Sequence, residues 1–337
     1  MKSVSYKLKA ILYRSNTSVY EIMSSTPKLN LLLDDISSTS YRSDLSLSGI
    51  KSQFKIFLFF PILLFAIAIL PEEARGQELY VFTEPASNMP AKSLSAKYSG
   101  KFVKTIMHET RIEQRHTAEV MFGLNKNWMI HGATTFSDMY TDQMRFESGR
   151  VYAKYRFLSN DQVHKHFRMA AFGEASHSRN ELMFDEISLE GDQSGVQAGL
   201  IATQLWNKLA VSSTVSFIQV TKEKPKHHPE DHPYQAFNYS LSAGLLVLPV
   251  EYTSYNQTNL NIYVELLGQQ ALDRKKYYVD LAPAIQLIFN STYKLNLGYR
   301  FQLNTNMLRM SPNSFNIAFE TVFLNVLKRK GKEKPDQ

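Results

Sequence analysis

The chain has 337 residues, 44% of them hydrophobic and 20% charged, none of them cysteine, with a formal charge of +7. The lack of cysteine excludes a disulfide framework and a thiolate metal site. The basic balance does not point to nucleic acid, because no Lys/Arg stripe with interleaved aromatics is present to bind it.

Residues 1–50 are rich in serine, show no sustained hydrophobic period and contain a single glycine, Gly49. They read as a disordered leader or as a start codon placed too far upstream, and they are set apart from the fold. Residues 51–76 read as a secretory signal. Lys51 and Lys55 precede a 15-residue apolar run over 56–70, which Pro61 interrupts, and Ala74-Arg75-Gly76 follows with small residues at the cleavage positions. The run is shorter than the ~20 residues of a membrane-spanning helix and suits an h-region of about 7 to 15. The expected mature chain begins at Gln77. It has 261 residues, with 29 basic and 25 acidic side chains, a net charge of +4. A single transmembrane anchor is the competing reading of the same run.

The segment 77–91, "QELYVFTEPASNMPA", has too many turn formers for a strand and is either a candidate plug for whatever follows or a plain connection from the processed terminus. From residue 92 the period is two. In "TNLNIYVELLGQ" Leu260, Ile262, Val264 and Leu266 alternate with Asn259, Asn261, Tyr263 and Glu265, and "KLNLGYRFQL" repeats the pattern over 294–303. Such segments recur at 92–103, 114–124, 128–139, 146–157, 165–177, 194–205, 209–221, 235–248, 258–269, 277–290, 293–303 and 314–326. That makes twelve strands.

Their connections alternate in length. Short turns follow the second, sixth and tenth strands, at 125–127, 207–208 and 290–292. The fourth and eighth strands end in medium connections. Long polar loops follow odd strands, notably 178–193 and 222–234. An even strand count with short turns at one end and long loops at the other is the pattern of an outer-membrane barrel. The fold expected is therefore all-β, a closed antiparallel transmembrane β-barrel of up-and-down topology over 92–327, followed by a basic tail at 328–337. Pro283 inside the tenth strand predicts a bulge or strand end there.

The two faces differ. Leu, Ile, Val, Phe and Ala fall on the face assigned to lipid, with Trp128, Tyr252, Tyr255, Tyr277 and Phe323 near strand ends as girdle candidates. On the face assigned to the lumen lie Lys97, Lys101, Glu119, Arg150, Lys154, Arg156, Arg168, Glu174, Glu265, Asp280, Arg300 and Glu320. Charges are costly against lipid and can pair in a wet lumen. They form either a field that selects solutes by charge or a structural network that fills a narrow barrel. A soluble β-sandwich or ligand-binding barrel would have the same alternation with its faces reversed. Strand length, the signal and the loop alternation favour the membrane version.

The runs "YVFTEPASNMP", "QRHTAEVMFGLNKNWMIHGATTFSDMYT", "VYAKYRFLS", "GDQSGVQAGLIATQL" and "LNLGYRFQL" resemble an uncharacterised family of outer-membrane β-barrel proteins of Gram-negative bacteria, transporter-like and related to barrels associated with phenol degradation. The resemblance covers nearly all of 78–326. It implies the barrel fold and the outer membrane, and brings no catalytic or binding residue with it.

Two further features bear on chemistry. "HHPEDHP" places His227, His228, Glu230, Asp231 and His232 on a long external loop. Imidazole with carboxylate suits a divalent transition metal such as Zn, Cu or Ni, and a solvated polar loop is the plainer reading. His164 and His166 belong to a connection at the opposite end. His177 and Ser178 are adjacent on a strand and so point to opposite faces, where the imidazole cannot activate the hydroxyl. No enzyme and no organic cofactor is expected. The function expected is a channel or transporter for small solutes, and the alternative is a non-conducting barrel whose external loops bind a metal ion or a partner. Outer-membrane lipid surrounds such a chain, and the barrel-assembly machinery would meet Phe323 as the aromatic that ends the last strand.

Overall fold

The computed structural model describes residues 80–104, 111–163, 165–221, 232–249 and 257–327. The leader, the signal, the tail, Tyr252, Tyr255, His164 and most of the His-rich loop lie outside the described residues. Twelve strands follow in chain order: β1 (Ser93–Lys104), β2 (Ile112–Gly123), β3 (Trp128–Ser137), β4 (Arg145–Asp161), β5 (Lys165–Ser178), β6 (Gly195–Trp206), β7 (Leu209–Val220), β8 (Gln235–Leu248), β9 (Asn259–Ala271), β10 (Tyr277–Phe289), β11 (Tyr293–Thr305) and β12 (Asn313–Phe323).

Each strand pairs antiparallel with its neighbours in sequence, and β1 closes on β12, with Leu94 opposite Phe323 and Lys97 opposite Glu320. Closure matters because hydrocarbon supplies no hydrogen bonds to a free sheet edge. The alternation then decides the faces. Along β9, Ile262 and Val264 are exposed on the outside while Asn261, Tyr263 and Glu265 are buried within. On β11 Leu295, Leu297 and Leu303 face outward, and Lys294 and Asn296 inward. Closed, apolar outside and charged within, the barrel is an outer-membrane protein.

Strand ends lie within three residues of their expected places, with one exception. β4 continues to Asp161, four residues further than the pattern suggested. A register shift between Arg156 and Leu158 lets pairing with β5 go on past Phe157, so Ser159 meets Arg168 and Asp161 meets His166. Only three residues, 162–164, separate β4 from β5, so the connection is short and not medium.

Pro283 corrects a second expectation. It neither ends β10 nor carries its bulge. Opposite Val264, it sits within an unbroken ladder to β9 and faces outward, while the ladder to β11 resumes at Ala284 opposite Gly298. The irregularity of β10 lies at Val279/Asp280. A proline whose missing donor falls on one ladder leaves the other intact.

Short turns after even strands share an end with the start of β1 and the end of β12, which makes it the periplasmic end in the usual orientation. Two of these turns have asparagine in the left-handed region, Asn207 at φ 48° and Asn290 at φ 50°. Asparagine adopts that conformation far more readily than most side chains.

Two irregular segments fill the interior. Residues 80–92 run inside the barrel from its middle to the periplasmic end, where the Lys92 N–H donates to the Gly123 carbonyl. Gly123 has to be glycine here, since a Cβ would lie 2.2 Å from the Pro90 carbonyl oxygen. Residues 179–194, between β5 and β6, reach across the opposite end. Ile187 and Leu189 pack on Ile218, Val220 and Ala236, and the Ile187 backbone exchanges two hydrogen bonds with the Gln269 amide, at 2.8 and 2.7 Å.

Candidate functional site in the lumen

The twelve charges expected in the lumen sort into local groups instead of one field. Near the middle, Arg150 on β4 lies 3.9 Å from Glu119 on β2 and 3.7 Å from Glu174 on β5. Lys97 is in register with both Glu119 and Glu320. Lys154, fully buried, donates to the Glu84 carboxylate at 2.8 Å and the Pro85 carbonyl at 2.9 Å, and so belongs to the N-terminal segment as much as to the wall. Glu320 accepts from Ser95 at 2.8 Å and Lys294 at 3.1 Å.

At the periplasmic rim Arg168 holds Asp161 at 2.9 Å and Ser87 at 3.0 Å. Nearby Arg156 stands opposite Ala170, with no ion pair within 4 Å among the described residues. His166, in β5 itself, bonds Asp161 at 2.9 Å.

The acids of β9 and β10 do not meet the bases of β1, β4 and β5. Asp280 is fully buried and receives the Arg300 Nε at 2.6 Å and both terminal nitrogens of Arg309 at 2.7 Å. Glu186, from the β5–β6 segment, joins the same group through Arg300 at 3.1 Å and Arg309 at 2.9 Å. Burial opposes ionisation of Glu186, but the two guanidinium groups outweigh it and hold the carboxyl at about 2. Glu265 has no cation within 4 Å among the described residues. It accepts the N–H groups of Val81 and Phe82, each at 2.9 Å, and the hydroxyls of Thr83 at 2.7 Å and Ser242 at 3.3 Å.

A fourth group holds the outer mouth. Arg115 on β2 donates to Glu147 at 2.7 Å and to Asp192 of the β5–β6 segment at 2.6 Å, and the Tyr140 hydroxyl also reaches Asp192 at 3.0 Å. Lys101 lines a small pocket beside it with Glu186, Asp192, Arg300 and Arg309. The sequence pattern missed Glu84, Arg115, Glu147, Glu186, Asp192 and Arg309. Most of them lie on irregular stretches where alternation assigns no face. The acid density of "FDEISLEGD" beside a barrel with cationic walls was the signal available.

Between the two filling segments is a cavity of about 360 Å³. Its charged side comes from Lys97, Glu119, Arg150 and Glu174, its less polar side from Ile201, Ile218 and Leu267, and its two ends from Tyr80–Glu84 and Glu186–Glu190. His131 lies against it, 2.9 Å from Glu119 and 3.4 Å from Glu84.

The barrel also has relatives in shape. A solved outer membrane channel from Pseudomonas putida F1 superposes with a TM-score of 0.52 at 12% identity, over 72% of this chain and all of that one. The two share a fold. KdgM porin (TM-score 0.43, 8% identity, 68% of this chain and 99% of that chain) and NanC porin (0.43, 10%, 68% and 98%) are similar more loosely. No protein-family model matches the chain, and a search of curated proteins finds no match.

Of the five metal candidates, His227, His228, Glu230 and Asp231 lie outside the described residues. His232 is buried, with Nδ1 2.7 Å from the Pro233 carbonyl oxygen and its ring edge-on to Tyr234. Burial pushes its imidazole below the ordinary value, which keeps it neutral at pH 7. No group of three or more metal-ligating side chains forms among the described residues. His177 and Ser178 do point apart: His177 is exposed, while Ser178 is buried and donates to the Gly191 carbonyl at 2.7 Å.

Proposed function

We propose that the protein is an outer-membrane channel for small solutes, held closed in this conformation by residues 80–92 and 179–194. The observation that carries the reading is the cavity of about 360 Å³ at mid-barrel, where a packed structural core would leave no space. Small-ligand sites begin at about 300 Å³ and bring a few polar groups to a partly apolar wall, which is the composition found here. Lys97, Arg150 and Glu174 face this space and are the residues that would sort solutes by charge.

The relation to transporter-like barrels associated with phenol degradation belongs to the same proposal, supported by the sequence runs quoted above. Outer-membrane lipid around the belt and recognition of the last strand by the assembly machinery are parts of it as well.

Conductance in planar lipid tests the reading. The purified barrel should give discrete openings, and Arg150→Ala should shift the reversal potential in a salt gradient toward cation preference. A barrel that never conducts at any voltage, pH or salt concentration would overturn it.

A further inference from the structure

We propose that Tyr80–Thr83 is a reversibly bound internal ligand of the barrel, and that its seating on Glu265 is the gate of the pathway. This rests on the channel reading, and it names the contact that shuts the channel.

The first reason lies in Glu265. A buried carboxylate with no cation beside it must be satisfied by hydrogen-bond donors, and three of its four come from the segment: two consecutive backbone N–H groups and the Thr83 hydroxyl. The wall itself supplies one, Ser242. Once the segment leaves, a charged group in the lumen is left to water or to the donors of a passing solute.

The second reason is shape. Gly298 on β11 leaves the space that the Phe82 ring occupies, since a Cβ there would come within 2.7 Å of it and within 3.3 Å of Val81. Tyr80 packs edge-on against Tyr263 with ring centroids 5.6 Å apart, in a cluster with the small residues Ala210 and Ala284. Small wall residues, two aromatic rings and a donor-seeking carboxylate make a receptor fitted to this stretch of chain.

The third reason is what the segment does not do. Before Ser93 it forms no strand, and the barrel closes through β1 and β12 without it. Its departure breaks no ladder of the wall. A lumen merely stuffed during folding would not need a matched acceptor for consecutive N–H groups.

The test uses the absence of cysteine. The hydroxyl oxygens of Thr83 and Ser242 lie 2.9 Å apart, so Thr83→Cys with Ser242→Cys places two thiols in bonding range. With the disulfide formed, as measured by intact mass after thiol labelling, single-channel open probability should fall at least about tenfold, and dithiothreitol should restore it. Phe82→Asp, which leaves the wall untouched, takes away the ring that fills the space over Gly298 and adds a carboxylate to the segment that binds Glu265, should raise open probability by about tenfold, the change expected from weakening hydrogen bonds to a charged acceptor. The proposal is overturned if the oxidised pair and Phe82→Asp both conduct like the unaltered protein, or if the thiols do not join. If no form conducts in either redox state, the channel reading itself fails, a result distinct from a channel that ignores its plug.

Discussion

The two segments that fill the lumen do so by different physics. Residues 80–92 are held mostly by neutral donors on buried acceptors and by aromatic packing, with Glu84, set against Lys154 and His131, as their charged contact among the described residues. Residues 179–194 rely more on charge, four of their five acids being set against a cation: Asp185 on Lys276 at 2.8 Å, Glu186 on Arg309, Glu190 on Arg150 at 3.4 Å and Asp192 on Arg115. The inner segment therefore depends on burial and shape, and the outer one on ionic conditions. The two segments should accordingly loosen under different conditions.

The largest effect that would sharpen this contrast is Asp280→Ala. Among the described residues it leaves Glu186 as the one acid paired with two guanidinium groups, Arg300 and Arg309, which lie 5.2 and 4.2 Å from the Tyr278 ring. Removing one partner of a buried ion pair costs about 3–5 kcal/mol. The midpoint at which the heated barrel loses its compact electrophoretic migration should drop markedly, and an unchanged midpoint would mean that Asp280 does not hold the outer closure. Next is Lys154→Met, which takes a charged donor from Glu84 and Pro85 at a cost of roughly 1–3 kcal/mol. Amide exchange should accelerate across 80–90 and stay unaltered across 179–194. Acceleration in both segments would show that they are not independent.

Acid separates the two in the other direction. The Glu186 carboxyl is depressed below its ordinary 4.5 to about 2 in the folded chain. A depressed acid contributes stability that is complete above the unfolded value and is lost as pH falls through the folded one. The outer closure should hold at pH 5 and loosen as pH falls from 4.5 toward 2, seen as rising channel noise. Loosening already complete at pH 4 would contradict the pairing with Arg309 and Arg300. The smallest effect is that of salt. Glu190 is 64% exposed in its pair with Arg150, so that contact is worth about 0.2–1 kcal/mol and weakens as the Debye length shrinks to about 3 Å at 1 M. Amide protection near Glu190 should decline in 1 M KCl while that of Val81 and Phe82 does not change. Equal loss at both places would end the distinction drawn here.

The sequence on its own carried the barrel. Alternation over Leu260–Leu266 or 294–303 assigns each side chain to lipid or lumen without any knowledge of neighbours, because the period of a strand is two and the solvent differs on its two sides. It placed Asp280, Arg300, Glu265 and Lys154 inside for the same reason, and loop alternation told one end of the barrel from the other. It misjudged Pro283, since whether a missing donor matters depends on which ladder it falls in. The extent of β4 also escaped it, since the shift at Arg156/Leu158 exists only in the pairing with β5.

Who meets whom was decided in three dimensions. Glu265 and Val81 are 184 positions apart and Arg309 and Glu186 are 123 apart. They come together through barrel closure and the infolding of segments without a period of their own. A strand's pattern reports the medium it faces, so it can be read one residue at a time. A buried carboxylate's partner depends on which distant chain fills the space above it, and no local pattern holds that information.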